Sequence, residues 1–151
     1  MANPFPFSVG AVLTAAQMNG IGEITSFTPS WTSGLTPGNA VQNFKYVRIQ
    51  NLIFVTGKIT FGTTTAITGN VSLATPVASS NQTDVSIVGE TYMQDSGVGT
   101  VLGFVAYSGN SLFLQVQLVN GTYPAPQAFN ATTPFTWSVN DTISIQATYT
   151  L

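Results

Sequence analysis

The sequence has no cysteine and no histidine, and only three basic and five acidic side chains among 151 residues. Each shortage removes a class of chemistry. Without Cys there is no disulfide framework and no thiolate metal site, so stability has to come from packing. Without His there is no Ser-His-Asp or Cys-His constellation and no imidazole ligand or base. Lys45, Arg48 and Lys58 are the only cations, so counterion release would rest on three phosphate contacts, against the roughly 6 to 10 of a DNA binder. No nucleic-acid partner is expected. The same scarcity leaves no polybasic membrane patch, and no apolar run nears the ~20 residues of a bilayer span, so membrane insertion is not expected either. The opening MANPFPFSVG lacks the cationic and apolar regions of a secretory leader. No cofactor is expected: there is no G-x-x-x-x-G-K-[ST] loop, and GETYMQDSGVG lacks the strand-then-helix setting of a dinucleotide site.

What the chain has instead is neutral polarity, with 22 Thr, 13 Ser, 11 Asn and 9 Gln beside 44% apolar residues. Interspersed charge normally keeps soluble monomers apart. A chain with so little of it is expected to meet copies of itself or other subunits over much of its surface. A monomer kept soluble by Thr, Ser and Asn is the alternative. The length suits one domain that buries roughly 70% of the surface of its unfolded form.

Residues 1–24 read differently from the rest. Pro4-Phe5-Pro6-Phe7 is an extended apolar lead, and Thr14-Ala15-Ala16-Gln17 fits a capping box. A short helix is expected over Ala15 to Asn19, ended by Gly20 and Gly22. Such a segment cannot bury itself alone, so it is expected to dock on another subunit, on a host assembly or on its own domain.

From residue 25 to 151 the apolar period is two. Val47 and Ile49, then Ile53, Val55, Ile59 and Phe61, alternate across a tight turn at Gln50-Asn51, a hairpin signature. Further strands are expected at Val71 to Leu73, Val85 to Met93, Val101 to Tyr107, Leu112 to Val119 and Thr142 to Leu151. The turn Ser108-Gly109-Asn110-Ser111 is a second hairpin signal. The last strand places Ile143, Ile145, Ala147 and Tyr149 on one face. About eight short strands predict an all-β, antiparallel sandwich, jelly-roll-like in form. Gly57, Gly89 and Gly103 fall inside strands and signal bulges, close backbone approach or weaker pairing. Asn120 to Pro134 carries no pattern and is expected to be an exposed loop of functional or interfacial use.

Paired carboxylates are the remaining enzymatic option. A glycosidase needs two of them roughly 5 to 9.5 Å apart, and Glu90 with Asp95 is the candidate pair. The competing reading makes Asp84, Asp95 and Asp141 turn residues, as Asp favours. A Ser-Lys dyad through Lys45 or Lys58 has no motif behind it. Lys45 and Arg48 are expected to blunt an edge or line a subunit contact. The acids form no calcium loop, and no metal site is expected. The sequons at Asn70, Asn81, Asn120, Asn130 and Asn140 read as unmodified turn residues. Aromatic groups can stack on sugar rings. Tyr123, Gln127 and Phe129 are the candidate receptor or glycan contacts, while Trp31 and Trp137 are expected in the core or a subunit interface.

The opening PFPFSVGAVLTAAQMNGIGE resembles the N-terminal segment of tailed-bacteriophage virion proteins. The stretch FTPSWTSG, Gly38-Asn39, the strand at Tyr46 and its partner at Ile53 to Phe61 are similar to small β-sandwich domains of phage minor tail, fibre and capsid-decoration proteins. So is the ending PFTWSVNDTISIQATYTL with Trp137, Asp141 and Tyr149. Residues 70–130 lie outside the resemblance. It implies a structural virion protein, exposed on tail or capsid, with no catalytic residue. It further implies a homotrimer attached to other virion proteins through Phe5, Phe7, Val12, Leu13 and Met18 of the N-terminal arm, with host-surface glycan as a possible contact. A head-decoration protein without a ligand is the alternative within the family.

Overall fold

The computed structural model describes residues 12, 14, 21–120 and 122–151. Their regular structure is ten strands and no helix: β1 (Ile24–Phe27), β2 (Trp31–Thr36), β3 (Val41–Ile49), β4 (Leu52–Thr60), β5 (Ala66–Ala74), β6 (Ser86–Asp95), β7 (Gly99–Ser108), β8 (Ser111–Asn120), β9 (Tyr123–Ala128) and β10 (Thr142–Thr150). Every pairing is antiparallel. Neighbours run β1-β3-β4-β10-β6-β7-β8-β5-β2, and β9 adds to β8.

That order forces the sheet to curl. Laid flat, its two edges would stand eight strand spacings apart, about 38 Å at ~4.8 Å each. Yet the edge strands β1 and β2 are joined by Thr28, Pro29 and Ser30 alone, and four Cα steps reach at most ~15 Å. The edges therefore approach one another, and side chains fill the seam. Trp31 of β2 donates from Nε1 to Gln42 Oε1 of β3 at 2.8 Å and packs edge-on against Phe44, 6.0 Å between centroids. Phe27 of β1 packs edge-on against Phe44 and Tyr46.

The expected all-β, antiparallel character holds. The strands form one continuous curled half-barrel, where two separate sheets were expected. The reason is β10, which pairs along its length with β4 and over six residues with β6, joining what would otherwise be two layers. The helix expected at Ala15 to Asn19 lies outside the described residues.

Alternation puts the apolar set inside. Ile53, Val55 and Ile59 of β4 and Ile143, Ile145, Ala147 and Tyr149 of β10 are all buried, as the period of two requires. Both hairpin turns expected from the sequence carry left-handed residues: Gln50 has φ 53° in the first, and Gly109 and Asn110 have φ 55° and 61° in the second, which alone has the two-positive-φ pattern of a type I′ turn. Gly57 is needed because the ring of Phe44 occupies the place a Cβ would take.

Two ends close the half-barrel. At one, Trp137 packs against Phe61, Phe129 and Phe135, at 4.9, 4.7 and 4.4 Å. The Asp141 carboxylate there accepts from the Ser96 and Ser138 backbone N–H groups at 2.8 and 2.6 Å. At the other, Gln82 Oε1 accepts from Thr150 N–H at 3.0 Å, Ser79 Oγ donates to Thr150 O and Asn81 Nδ2 donates to Leu151 O. Among the described residues no buried side-chain polar atom lacks a partner. Much of the neutral polarity thus serves to tie loops to the sheet.

The stretch from Asn120 to Pro134 is not a free loop. Its first half is β9, which pairs with β8 from Gln115↔Ala128 to Asn120↔Tyr123. Pro124 and Pro126 are tolerated because β9 needs N–H donors toward one neighbour only. Phe129 then enters the core with no exposure at all.

Candidate functional site

The outward face of β3, β4, β10 and β6 carries a groove of about 500 Å³. Strand register fixes its lining as two parallel rows. The first runs Lys45, Thr56, Gln146, Glu90, and the second Asn43, Lys58, Ser144, Tyr92 with Leu102 beyond it. These residues have the parity opposite to the core set, so the alternation that buries Ile53 to Ile59 presents Thr56 and Lys58 to solvent. A hollow of about 460 Å³ continues the groove on the same face. It shares Lys45, Thr56, Glu90 and Gln146 and adds the apolar side chains Ile24, Val47, Phe54 and Val88.

The groove therefore has a polar half and an apolar half. The polar half gathers two of the three cations and one of the five acids of the chain. Lys45, Lys58 and Glu90 enter no side-chain hydrogen bond or ion pair with the described residues, and neither do the side chains of Asn43, Thr56, Ser144 and Gln146. Beyond the apolar half, Ile49 and Leu52 pair across the hairpin. With Ile21, Ile24 and Phe54 they make a patch of exposed aliphatic and aromatic groups. Gly22 lies against Val47 and Ile49, so the chain enters the sheet from residue 21 at the margin of this patch.

Of the candidate site residues singled out in the sequence, Lys45, Lys58 and Glu90 line the groove, and the others fall elsewhere. Val12 is 87% exposed, while Phe5, Phe7, Leu13 and Met18 lie outside the described residues. Tyr123, Gln127 and Phe129 share one face of the β9 segment that turns inward, from 77% exposure at Tyr123 to none at Phe129. Phe129 therefore presents nothing to a ligand, and Tyr123 and Gln127 are the two of the three that reach the surface. Glu90 and Asp95 are five residues apart on β6 with opposite parity. That spacing is about 17 Å along a strand, beyond the separation a carboxylate pair needs. Asp84 and Asp141 serve turns as expected, Asp84 Oδ1 accepting from Gly109 N–H at 2.8 Å. Lys45 does not blunt an edge, because β1 covers β3 from Phe44 to Val47; its side chain lines the groove. Arg48 donates from Nε to Gln50 O at 3.0 Å, holding the β3–β4 turn.

Sequence reading missed the groove because its members come from four strands whose order crosses the chain. The available signal was parity: polar residues at 43 and 45, 56 and 58, 90 and 92, 144 and 146 all alternate with core positions. Among the described residues no three acidic side chains gather as a metal-binding group, and no helix is long and apolar enough to cross a membrane. No protein-family model matches the chain, and no curated protein or solved structure matches it.

Proposed function

We propose that this chain is a structural, non-enzymatic subunit of a tailed-phage particle, homotrimeric, joined to other virion proteins by its N-terminal arm and exposed where it meets the host. The observation that carries the reading is the exposed apolar patch of Ile21, Ile24, Ile49, Leu52 and Phe54, in a chain with eight charged side chains among its 151 residues. Exposed apolar groups that cluster mark an interaction surface, and few charges here oppose association. The patch borders the point where the arm joins the sheet, which brings self-association and anchoring to one end of the molecule. The arm's virion role rests on the resemblance of PFPFSVGAVLTAAQMNGIGE to phage N-terminal segments. The finer jelly-roll reading belongs to the same proposal, with β1-β3-β4-β10 and β7-β8-β5-β2 as two layers facing across the core.

Sedimentation of the purified chain tests the assembly. A trimer is expected at micromolar concentration, and Leu52→Lys combined with Phe54→Lys is expected to give a folded monomer. A wild-type chain that sediments as a monomer overturns the self-association. Removal of residues 1–20 is expected to leave a folded domain that no longer enters the particle, as imaging of labelled particles would read; retained incorporation overturns the anchor.

A further inference from the structure

We infer that the polar half of the outward groove binds an acidic saccharide, a sugar ring bearing a carboxylate, sulfate or phosphate. The inference deepens the attachment reading and rests on it only for where such a sugar would be met.

The first argument is where the charge has been placed. A chain with three cations sets two of them in one groove. Lys45 stands opposite Thr56 and Lys58 opposite Asn43, so the two lysines are diagonal neighbours whose backbones lie about 7 to 8 Å apart. Like charges on neighbouring side chains repel, and no carboxylate of the described residues pairs with either. An anion seated between them satisfies both. A nucleic acid is a poor candidate, because two cations neutralise too little of a phosphate backbone.

The second argument is the unused hydrogen-bonding capacity. Elsewhere the neutral polar groups tie the fold together, as Asn39, Asn110 and Gln82 do. In the groove the side chains of Asn43, Thr56, Ser144 and Gln146 make no such bonds. Amide and hydroxyl groups that face outward together match the donors and acceptors around a sugar ring.

The third argument is the platform. Along the second row, Tyr92 lies two strand spacings from Lys58 with Ser144 between them, about 10 Å. Tyr92 and its neighbour Leu102 are both exposed and offer an apolar surface to the C–H face of a pyranose. The acid group then points to the lysines. Glu90, on the far side of Gln146 from Lys45, repels an anion at that end and accepts from sugar hydroxyls, which fixes the direction of binding.

The test uses the full chain, ¹⁵N-labelled, at low ionic strength, with three acidic probes: a galacturonate trisaccharide, a sulfated disaccharide and glucose 6-phosphate. Neutral galactotriose and a short aspartate-rich peptide are the comparisons. At least one acidic sugar is expected to shift the amides around 43–45, 56–58, 90–92 and 144–146 at millimolar concentration, binding tenfold or more tightly than galactotriose and the peptide. Lys45→Gln with Lys58→Gln is expected to weaken that binding at least tenfold, Tyr92→Ala to weaken it severalfold, and Lys58→Arg to retain it. The site is overturned if none of the three acidic probes moves these amides, if galactotriose or the peptide binds equally well, or if the double lysine variant binds normally. Sedimentation of the same samples separates the two proposals. If the double lysine variant changes the oligomeric state, the groove is a subunit contact and the sugar site falls. If the wild type is monomeric yet binds the sugar through these lysines, the assembly reading falls and the site stands.

Discussion

Val85 is the residue most at odds with its conformation. Its φ of 57° places a β-branched side chain in the left-handed region, where steric crowding costs about 1 to 2 kcal/mol. The side chain is 85% exposed, so packing returns little of that cost. The backbone is held there by its neighbours: Val85 N–H donates to Tyr107 O at 2.8 Å, and Asp84 reaches Gly109. Val85→Asn, which suits this conformation, is expected to stabilise the fold by about 1 kcal/mol and raise Tm by about 3 °C, as calorimetry would read. Tyr149 offers a test through pH. Burial, partly countered by the hydrogen bond that the Val77 N–H donates to its hydroxyl oxygen at 3.2 Å, pushes its phenol up to about 12. The unfolded phenol ionises near pH 10. Its contribution to stability is therefore complete below pH 10 and is lost as pH rises from about 10 to 12. Tyr149→Phe is expected to lower stability at pH 8 by about 1 kcal/mol and to flatten the decline of urea midpoints between pH 10 and 12. Much at this scale was legible in the sequence. Gly109-Asn110 declared its turn through two residues that tolerate positive φ, while at Gln50-Asn51 the left-handed residue is Gln50 and not the asparagine. The burial of Phe129 was not legible, because it depends on a strand arriving beside β8 and not on any local pattern.

Among the elements, those with clean alternation were readable and those without it were not. β4 follows period two along its length and β10 does so from Ile143 onward, and both were expected. β2 was not, since its register with β5 shifts twice within six residues and each shift breaks the alternation. β9 hid behind Pro124 and Pro126, which argue against a strand anywhere except at an edge. The β3–β4 hairpin gives the sharpest test of packing between elements. Gly57 is flanked on β4 by Thr56 and Lys58, and the buried Phe44 ring lies across it from β3. A methyl group at residue 57 has to displace that ring. Gly57→Ala is expected to cost about 1 to 3 kcal/mol, the usual penalty of overpacking. Phe44→Leu alone should also destabilise, by loss of its contacts with Phe27 and Trp31. In the double variant the smaller side chain leaves room for the methyl. The combined cost is therefore expected to fall below the sum of the single costs by at least 0.5 kcal/mol, the coupling anticipated for residues in contact. Simple additivity in denaturant titrations would show that Phe44 does not fill the space above Gly57.

At the scale of the whole molecule the decisive feature is a sheet whose first two strands lie at its opposite edges. Composition and period foretold an antiparallel β protein, but strand order is a long-range property, and nothing local in the sequence places β10 between β4 and β6. The same order explains why the groove was invisible: Lys45, Lys58, Glu90 and Gln146 become neighbours only after the last strand of the chain has been inserted among earlier ones. It also makes closure of the curl depend on a few side chains. Trp31 bridges the seam by its hydrogen bond to Gln42 and its ring contact with Phe44, while no backbone pairing joins β2 to β3. Trp31→Ala is therefore expected to destabilise the fold by about 3 kcal/mol, at the lower end for loss of a large aromatic. Trp31→Phe, which keeps a ring but loses the Nε1 donor, should cost about 1 kcal/mol. The diagnostic reading is hydrogen exchange. If the seam couples the two edges, the alanine variant speeds exchange in β2 and β5 and equally in β1 and β3, although the latter pair is remote from residue 31 along the path of the sheet. Faster exchange confined to β2 and β5 would show that the edges open independently and that the curl is held by the core alone.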